Sequence, residues 1–190
     1  MASEVEICNR ALQKLGAKSI VSLTQDSVNA IECNLAYNII RDKELRAHPW
    51  NFAITRDQLA EDATDPAFGR ANSFTLPSDC LRLLDPYPED NSNDRDHQIE
   101  GRKIYTDDSA PLNIRYIKRV TDPNEMDVLF REALAASLAL ELCEKLTQSN
   151  PKKESIKDDY KNIIREARRV NAIENVAGEP PTSVWITARS

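Results

Sequence analysis

The chain has 190 residues, 41% of them hydrophobic and 29% charged, and a formal net charge of -6. This balance supports the core of one ordinary domain, or one domain with a modest insertion, and excludes a disordered tail. It also argues against a surface that grips phosphate backbones throughout.

The longest apolar run, Ala133 to Cys143, spans eleven residues and is broken by Ser137 and Glu141, well short of the ~20 needed to cross a bilayer. The opening residues, Met-Ala-Ser-Glu-Val-Glu, carry neither the basic nor the apolar stretch of a secretory signal. Cys8, Cys33, Cys80 and Cys143 form no close pair, which excludes zinc-ribbon and thioredoxin spacings and predicts reduced thiols.

Proline divides the chain. Seven of the ten prolines lie between Pro49 and Pro123, and residues 1–48 and 124–150 contain none. Because proline removes a helical donor and clashes with the preceding turn, the distribution predicts helices at both ends and a turn-rich middle, with a boundary at His48-Pro49. The predicted fold is mainly α with a small β insertion. A helical bundle from residues 3–48 and 124–176 encloses a β-rich insertion at 49–123, and an extended C-terminal arm follows at 177–190.

The first helix opens on a capping box, Ser3-x-x-Glu6, continues through Val5, Cys8, Leu12 and Leu15 at helical spacing, and stops at Gly16. Ile20, Val21, Leu23 and Thr24 predict a short extended link. A second helix starts near Asp26 or Ser27 and carries Val28, Ile31, Leu35 and Ile39 on one face and Tyr37 and Ile40 on another. It ends before Pro49, since the residue preceding proline is driven out of the helical region.

In the middle, Trp50, Phe52 and Ile54 alternate with Asn51, Ala53 and Thr55, the period of a strand. Ser73–Leu76 and Cys80–Leu84 are further strands about the turn Leu76-Pro77-Ser78-Asp79. Gln98–Glu100 and Lys103–Tyr105 form a hairpin near Gly101, and Leu112–Lys118 is one more strand. The polar stretch from Tyr87 to Asp96 is turn-forming and predicts an exposed loop.

A third helix is predicted from Asn124 to Thr147 after the start signal Asp122-Pro123. Leu129, Phe130, Ala133, Ala136, Leu140 and Cys143 line one side, and Leu134, Leu138, Leu142 and Leu146 make a second stripe. A helix apolar on both sides belongs at the centre of a bundle. The fourth helix, Pro151 to about Val176, points Ile156, Tyr160, Ile163, Ala167 and Val170 inward. Beyond Gly178, the pair Pro180-Pro181 forces an extended path that nevertheless carries Val184, Trp185 and Ile186.

Catalytic patterns are missing. His48 and His97 have no cysteine or second histidine at ligand spacing, and they read as a helix-end residue and a loop residue. Four glycines supply no phosphate-binding loop, and no Gly-x-Ser-x-Gly elbow occurs. Asp107-Asp108 and Asp158-Asp159 read as solvated neighbours, and the acidic stretch Glu89–Asp96 lacks the glycine and closing glutamate of a calcium loop. No catalytic residue, cofactor or metal ligand is assigned, and no enzymatic activity is expected. Lys152, Lys153, Lys157, Lys161, Arg165, Arg168 and Arg169 are interleaved with acids at helical spacing, a solvated and self-paired face or else a nucleic-acid contact. Trp185 either folds back on its own domain or docks on a neighbour as an aromatic anchor.

Three stretches together resemble a known family. They are His48-Pro49-Trp50-Asn51-Phe52-Ala53, then Phe74-Thr75-Leu76-Pro77-Ser78-Asp79-Cys80-Leu81-Arg82, and the segment from Asn113 to Ser149 with its Leu129-Phe130 and its Ala/Leu-rich helix ending in Lys145-Leu146-Thr147. Their order and spacing, over residues 3 to about 176, resemble the head-to-tail adaptor (tail tubular protein A-like) family of short-tailed bacteriophages. The resemblance implies a structural virion protein of the tail or neck, assembled in the host cytoplasm. Such a protein forms a ring, typically of twelve copies, that joins the portal protein to the tail nozzle protein and extends the channel through which DNA passes without specific binding. It implies no membrane partner. In such adaptors the helical part and an extended C-terminal arm bind the portal, which points here to Val184, Trp185 and Ile186. The alternatives are a connector or tail-completion protein of a long-tailed phage, and a helical nucleic-acid-binding regulatory protein.

Overall fold

The computed structural model describes residues 2–84 and 97–174. Helices α1 (Glu4–Leu15), α2 (Val28–Ala47), α3 (Val128–Thr147) and α4 (Asn150–Ile173) flank a middle region of six strands. The chain is mainly α with two small antiparallel sheets between its N- and C-terminal helix pairs.

Ser3 caps α1, its Oγ accepting the Glu6 amide at 3.1 Å. Gly16 ends the helix at φ +75°, a conformation costly to any residue with a Cβ, and its amide reaches the Gln13 carbonyl at 3.0 Å. Ile7, Cys8, Ala11, Leu12 and Leu15 are buried. The segment after Gly16 is irregular rather than extended, because the Asn9 side chain holds it. Its amide donates to the Ile20 carbonyl at 2.8 Å and its oxygen accepts the Ile20 amide at 2.7 Å. Ile20 is buried by this clasp, while Val21 is exposed.

Helix α3 is the centre of the bundle, packed against α1, α2 and α4. It begins at Val128, four residues after the expected Asn124, because Asp127 is the better cap. Its carboxylate accepts the Leu129 and Phe130 amides at 2.8 and 3.1 Å, while Asp122 is spent holding the Asn124 amide in the preceding turn. Seven successive positions, Ala133 to Ala139, are buried, as two apolar stripes require. In α4 the inward stripe is anchored by Ile156, Ile164 and Ala167, with Tyr160, Ile163 and Val170 half-buried beside it. A partly exposed ion-pair knot joins three helices: Lys14 lies 2.8 Å from both Glu132 and Asp159, and Arg10 adds a bond to Glu132 at 2.9 Å.

Strand β1 is Ile54–Leu59, so the alternation at Trp50–Ile54 misplaces its start. Asn51–Ala53 form a single 3-10 turn instead, since the aromatic rings are claimed by the bundle. Trp50 is 1% exposed, sits edge-on to Phe130 at 5.0 Å and donates its indole N–H to the Glu44 carbonyl at 3.0 Å. Phe52 also meets Phe130 at 5.0 Å. Asn51 is stapled to the end of α4, its backbone amide donating to Asn171 Oδ1 and its side-chain amide donating to the Asn171 carbonyl, both at 2.8 Å. The aromatic motif is therefore the joint between bundle and sheet.

The remaining strands are β2 (Asn72–Thr75), β3 (Cys80–Leu84), β4 (His97–Glu100), β5 (Lys103–Thr106) and β6 (Leu112–Lys118). One sheet has the order β1-β6-β3 and the other β2-β5-β4, all antiparallel. The β4–β5 hairpin pairs Glu100 with Lys103 across Gly101-Arg102, and Gly101 takes φ +60°, the sign a type II′ turn needs at its first central position. Strand β6 serves two cores through its period of two. Leu112, Ile114 and Tyr116 join Phe74 and Ile104 in a small cluster within the middle region, whereas Ile117 faces the other way into the bundle core.

Candidate interaction surfaces

The two apolar faces of α2 have opposite fates. Ala30, Cys33, Tyr37, Ile40 and Leu45 are buried against the bundle. Val28, Ile31, Leu35 and Ile39 are exposed to 62%, 47%, 65% and 70% of their surface. Their spacing of three, four and four residues aligns them in one stripe on the helix. The other exposed positions up to Arg41 are Asn34 and Asn38, and the single charged residue in that stretch, Glu32, is half-buried and leans toward Lys145 at 3.7 Å. A three-turn helix face without an exposed charge, carrying four large aliphatic side chains, has the composition of an interface core rather than of ordinary solvent-facing surface.

Polar anchors missed in the sequence explain why this face is the one left outside. Glu44 is 1% exposed at the junction of α2, α3 and α4, where its carboxylate accepts Ser137 Oγ–H at 2.7 Å and the Tyr160 hydroxyl at 3.0 Å. Its carbonyl takes the Trp50 indole. Arg41, 4% exposed, is bound to Asp42 at 2.8 Å, and Asp42 also holds Arg119 at 2.8 Å where the chain leaves β6. A buried carboxylate is costly unless hydrogen-bonded, so these contacts fix the rotation of α2 about its axis. An Arg and a Glu on an otherwise apolar helix face, thirteen and sixteen residues after its start, are visible in the sequence, but nothing there names Ser137 and Tyr160 as the partners of Glu44. Tyr37 OH is buried without a hydrogen-bond partner, and burial pushes its pKa up. A hydrogen bond shared with Cys33, together with burial, likewise pushes the Cys8 thiol up, so it stays protonated at neutral pH.

A second surface is concave. An open groove of about 950 Å³ lies along α1 and the start of α3, with Ile7, Ala17 and Leu129 in its lining and the 65%-exposed Val128 at its side. Arg10 and Glu132, already neutralised by each other, also line it.

The basic face of α4 splits in two. Lys153, Lys157 and Lys161 pair with Glu144, Glu154 and Asp158 at 2.7, 3.7 and 3.0 Å, which is the self-paired arrangement. Arg165, Arg168 and Arg169 have no acidic partner among the described residues. His48 caps α2 with its ring against Trp50 at 4.7 Å, and burial together with Arg168 and Arg82 pulls its pKa down. The neighbouring carboxylates read as solvated have partners: Asp107 binds Arg70 at 2.8 Å, Asp158 binds Lys161 at 3.0 Å and Asp159 binds Lys14 at 2.8 Å. His97 begins β4 away from His48, and among the described residues no group of three or more His, Cys, Asp and Glu is placed to hold a metal. No helix of the described residues is long and apolar enough to cross a membrane. The acidic stretch Glu89–Asp96 and the arm residues Val184, Trp185 and Ile186 lie outside the described residues. No protein-family model matches the chain, and no curated protein matches its sequence.

Proposed function

We propose that this chain is a structural subunit, and not an enzyme: a head-to-tail adaptor of a short-tailed phage virion that forms a ring between portal and tail nozzle. The observation that carries the reading is the charge-free stripe Val28, Ile31, Leu35 and Ile39, which an isolated chain leaves in water. Fully burying an aliphatic side chain is worth ~1.5–3 kcal/mol, so covering what is exposed of these four yields about 4–7 kcal/mol before the costs of association. Association itself costs ~4–15 kcal/mol, so this face contributes to an assembly that further contacts also hold, and does not make a tight isolated pair. The helix–sheet–helix order and the resemblance of the Trp50 and Leu76–Arg82 stretches support the same reading. So does charge: twelve copies at -6 each bring -72 around a channel, and a negative lining lets DNA slide without sticking.

In this proposal the arm, led by Trp185 with Val184 and Ile186, anchors on the portal. The test is deletion of residues 179–190 followed by a pull-down with the cognate portal ring and negative-stain imaging. Loss of portal binding with unchanged far-UV helicity is the expected result; undiminished portal affinity refutes the anchor, and an intact chain that never decorates portal refutes the adaptor reading. A second reading, a helical nucleic-acid-binding protein, draws on Arg165, Arg168 and Arg169 at the end of α4. Salt-dependent, sub-micromolar retention of DNA would favour it.

A further inference from the structure

Where the C-terminal end of α2 meets β3 and α4, five arginines make no ion pair among the described residues: Arg46, Arg82, Arg165, Arg168 and Arg169. We propose that they form one phosphate-binding face, which takes the backbone of a nucleic acid without reading its sequence. The inference goes beyond the adaptor reading and does not depend on it.

Hydrogen bonds bring the three elements together. Arg46 donates to the Leu81 carbonyl, which sets Arg82 beside the end of α2. Asn171 of α4 has its side-chain nitrogen 3.2 Å from His48 Nε2 and 3.3 Å from the Pro49 carbonyl. Arg168 lies three residues before Asn171 and hence on the same side of α4, and Arg165 lies a turn before both Arg168 and Arg169. Electrostatics agree with that placement. After burial, Arg168 and then Arg82 hold the His48 pKa down, so both guanidinium groups act on one ring.

The acids around this group are engaged elsewhere. Glu44 is taken by Ser137 and Tyr160, Glu174 by the Asn51 side chain at 3.1 Å, Asp79 by the Tyr116 hydroxyl at 3.1 Å, and Asp42 by Arg41 and Arg119. Glu166 of α4 makes no ion pair among the described residues, one acid against five bases. Residue type divides as well. The self-paired half of α4 uses Lys153, Lys157 and Lys161, whereas the unpaired group is all arginine. A guanidinium is weakly hydrated, and its fork fits two oxygens of one phosphate. Carboxylates fit the fork too, but an acidic peptide has to order every side chain that carries one. A nucleic-acid strand holds its charges on the backbone, one per ~3.4 Å of duplex axis. The rest of a chain with net charge -6 repels the duplex, so contact confined to this face is weak.

The test is fluorescence anisotropy of a labelled DNA duplex of about 20 base pairs at about 50 mM salt, titrated with the full-length chain. Two duplexes of unrelated sequence are expected to bind equally, with Kd about 1–100 μM, the range of non-specific contact. Arg82→Gln combined with Arg168→Gln is expected to weaken binding at least about tenfold and to lower the slope of log Kd against log salt by about two. Lys153→Gln combined with Lys157→Gln removes the same charge from the self-paired half and is expected to change affinity less than about threefold. No binding by the full-length chain at about 1 mM overturns the proposal. So does parent-like binding by the arginine double variant, an equal loss in the two double variants, or tighter binding of a short polyglutamate than of the duplex. The Arg82 and Arg168 side chains make no hydrogen bond among the described residues, and far-UV circular dichroism of the variants controls for folding. None of these readouts involves portal, so failure here leaves the adaptor reading standing.

Discussion

Replacing Trp50 tests whether the aromatic joint holds the bundle to the sheet. The indole is 1% exposed, meets Phe130 at 5.0 Å and His48 at 4.7 Å, and donates to the Glu44 carbonyl at 3.0 Å. Trp50→Ala removes a fully buried aromatic, which costs about 3–5 kcal/mol. It also leaves the Glu44 carbonyl without that donor, worth about 1 kcal/mol more. The sum, about 4–6 kcal/mol, is a large part of the ~5–15 kcal/mol that holds a domain folded. At ~2–4 °C per kcal/mol for a chain of this size, Tm falls by about 10–20 °C. Trp50→Phe keeps a ring against Phe130 and loses the N–H with part of the volume, so about 1–3 kcal/mol is expected. Urea denaturation followed by far-UV circular dichroism measures both, a better probe than fluorescence because Trp50 is one of only two tryptophans. A loss below about 1.5 kcal/mol for Trp50→Ala would refute the assignment of the joint. Equal losses for both variants would locate the whole effect in the hydrogen bond.

Two further outcomes follow from the polar contacts between the helices. Tyr160→Phe removes a donor from the Glu44 carboxylate and should cost about 1–3 kcal/mol; because Ser137 shares that carboxylate, a double-mutant cycle with Ser137→Ala should show coupling above about 0.5 kcal/mol, and strict additivity would dissolve the hub. Hydrogen bonding from Arg10, against some burial and with help from Lys14, holds the Glu132 carboxyl below its ordinary 4.5, so its stabilisation is present above that value and lost as pH falls through the lowered one. Glu132→Gln should therefore flatten the acid limb of a stability-versus-pH curve below about pH 4.5 and cost about 1 kcal/mol at neutral pH; an acid limb identical to the parent's would rule out this carboxylate as a source of the acid sensitivity.

Local rules carried much of the fold. Ser3, Ser27 and Gly16 mark helix ends because a cap is satisfied within three or four residues of itself, and the Gly101 hairpin is equally short-range. The double stripe on α3 announced a central helix, since apolar residues on both sides have to be covered on both. Where two local signals compete, the wider environment chose. Asp122-Pro123 and Asp127 both offer a start for α3, and Asp127 won by reaching two free amides. Trp50 and Phe52 sit at strand spacing, yet their rings pair with Phe130 from eighty residues away, and the backbone curls to let them.

The sequence by itself determined that α2 is a helix with apolar residues on two sides; it held no information on which side the bundle would take. That choice was tertiary, because Glu44 shares the face with Tyr37 and Ile40 and finds Ser137 and Tyr160 only when α2, α3 and α4 come together. A buried carboxylate is tolerated only where donors meet it, and the inward face of α2 is the one on which Glu44 meets both Ser137 and Tyr160. With Glu44, Tyr37 and Ile40 turned inward together, Val28, Ile31, Leu35 and Ile39 remain on the surface.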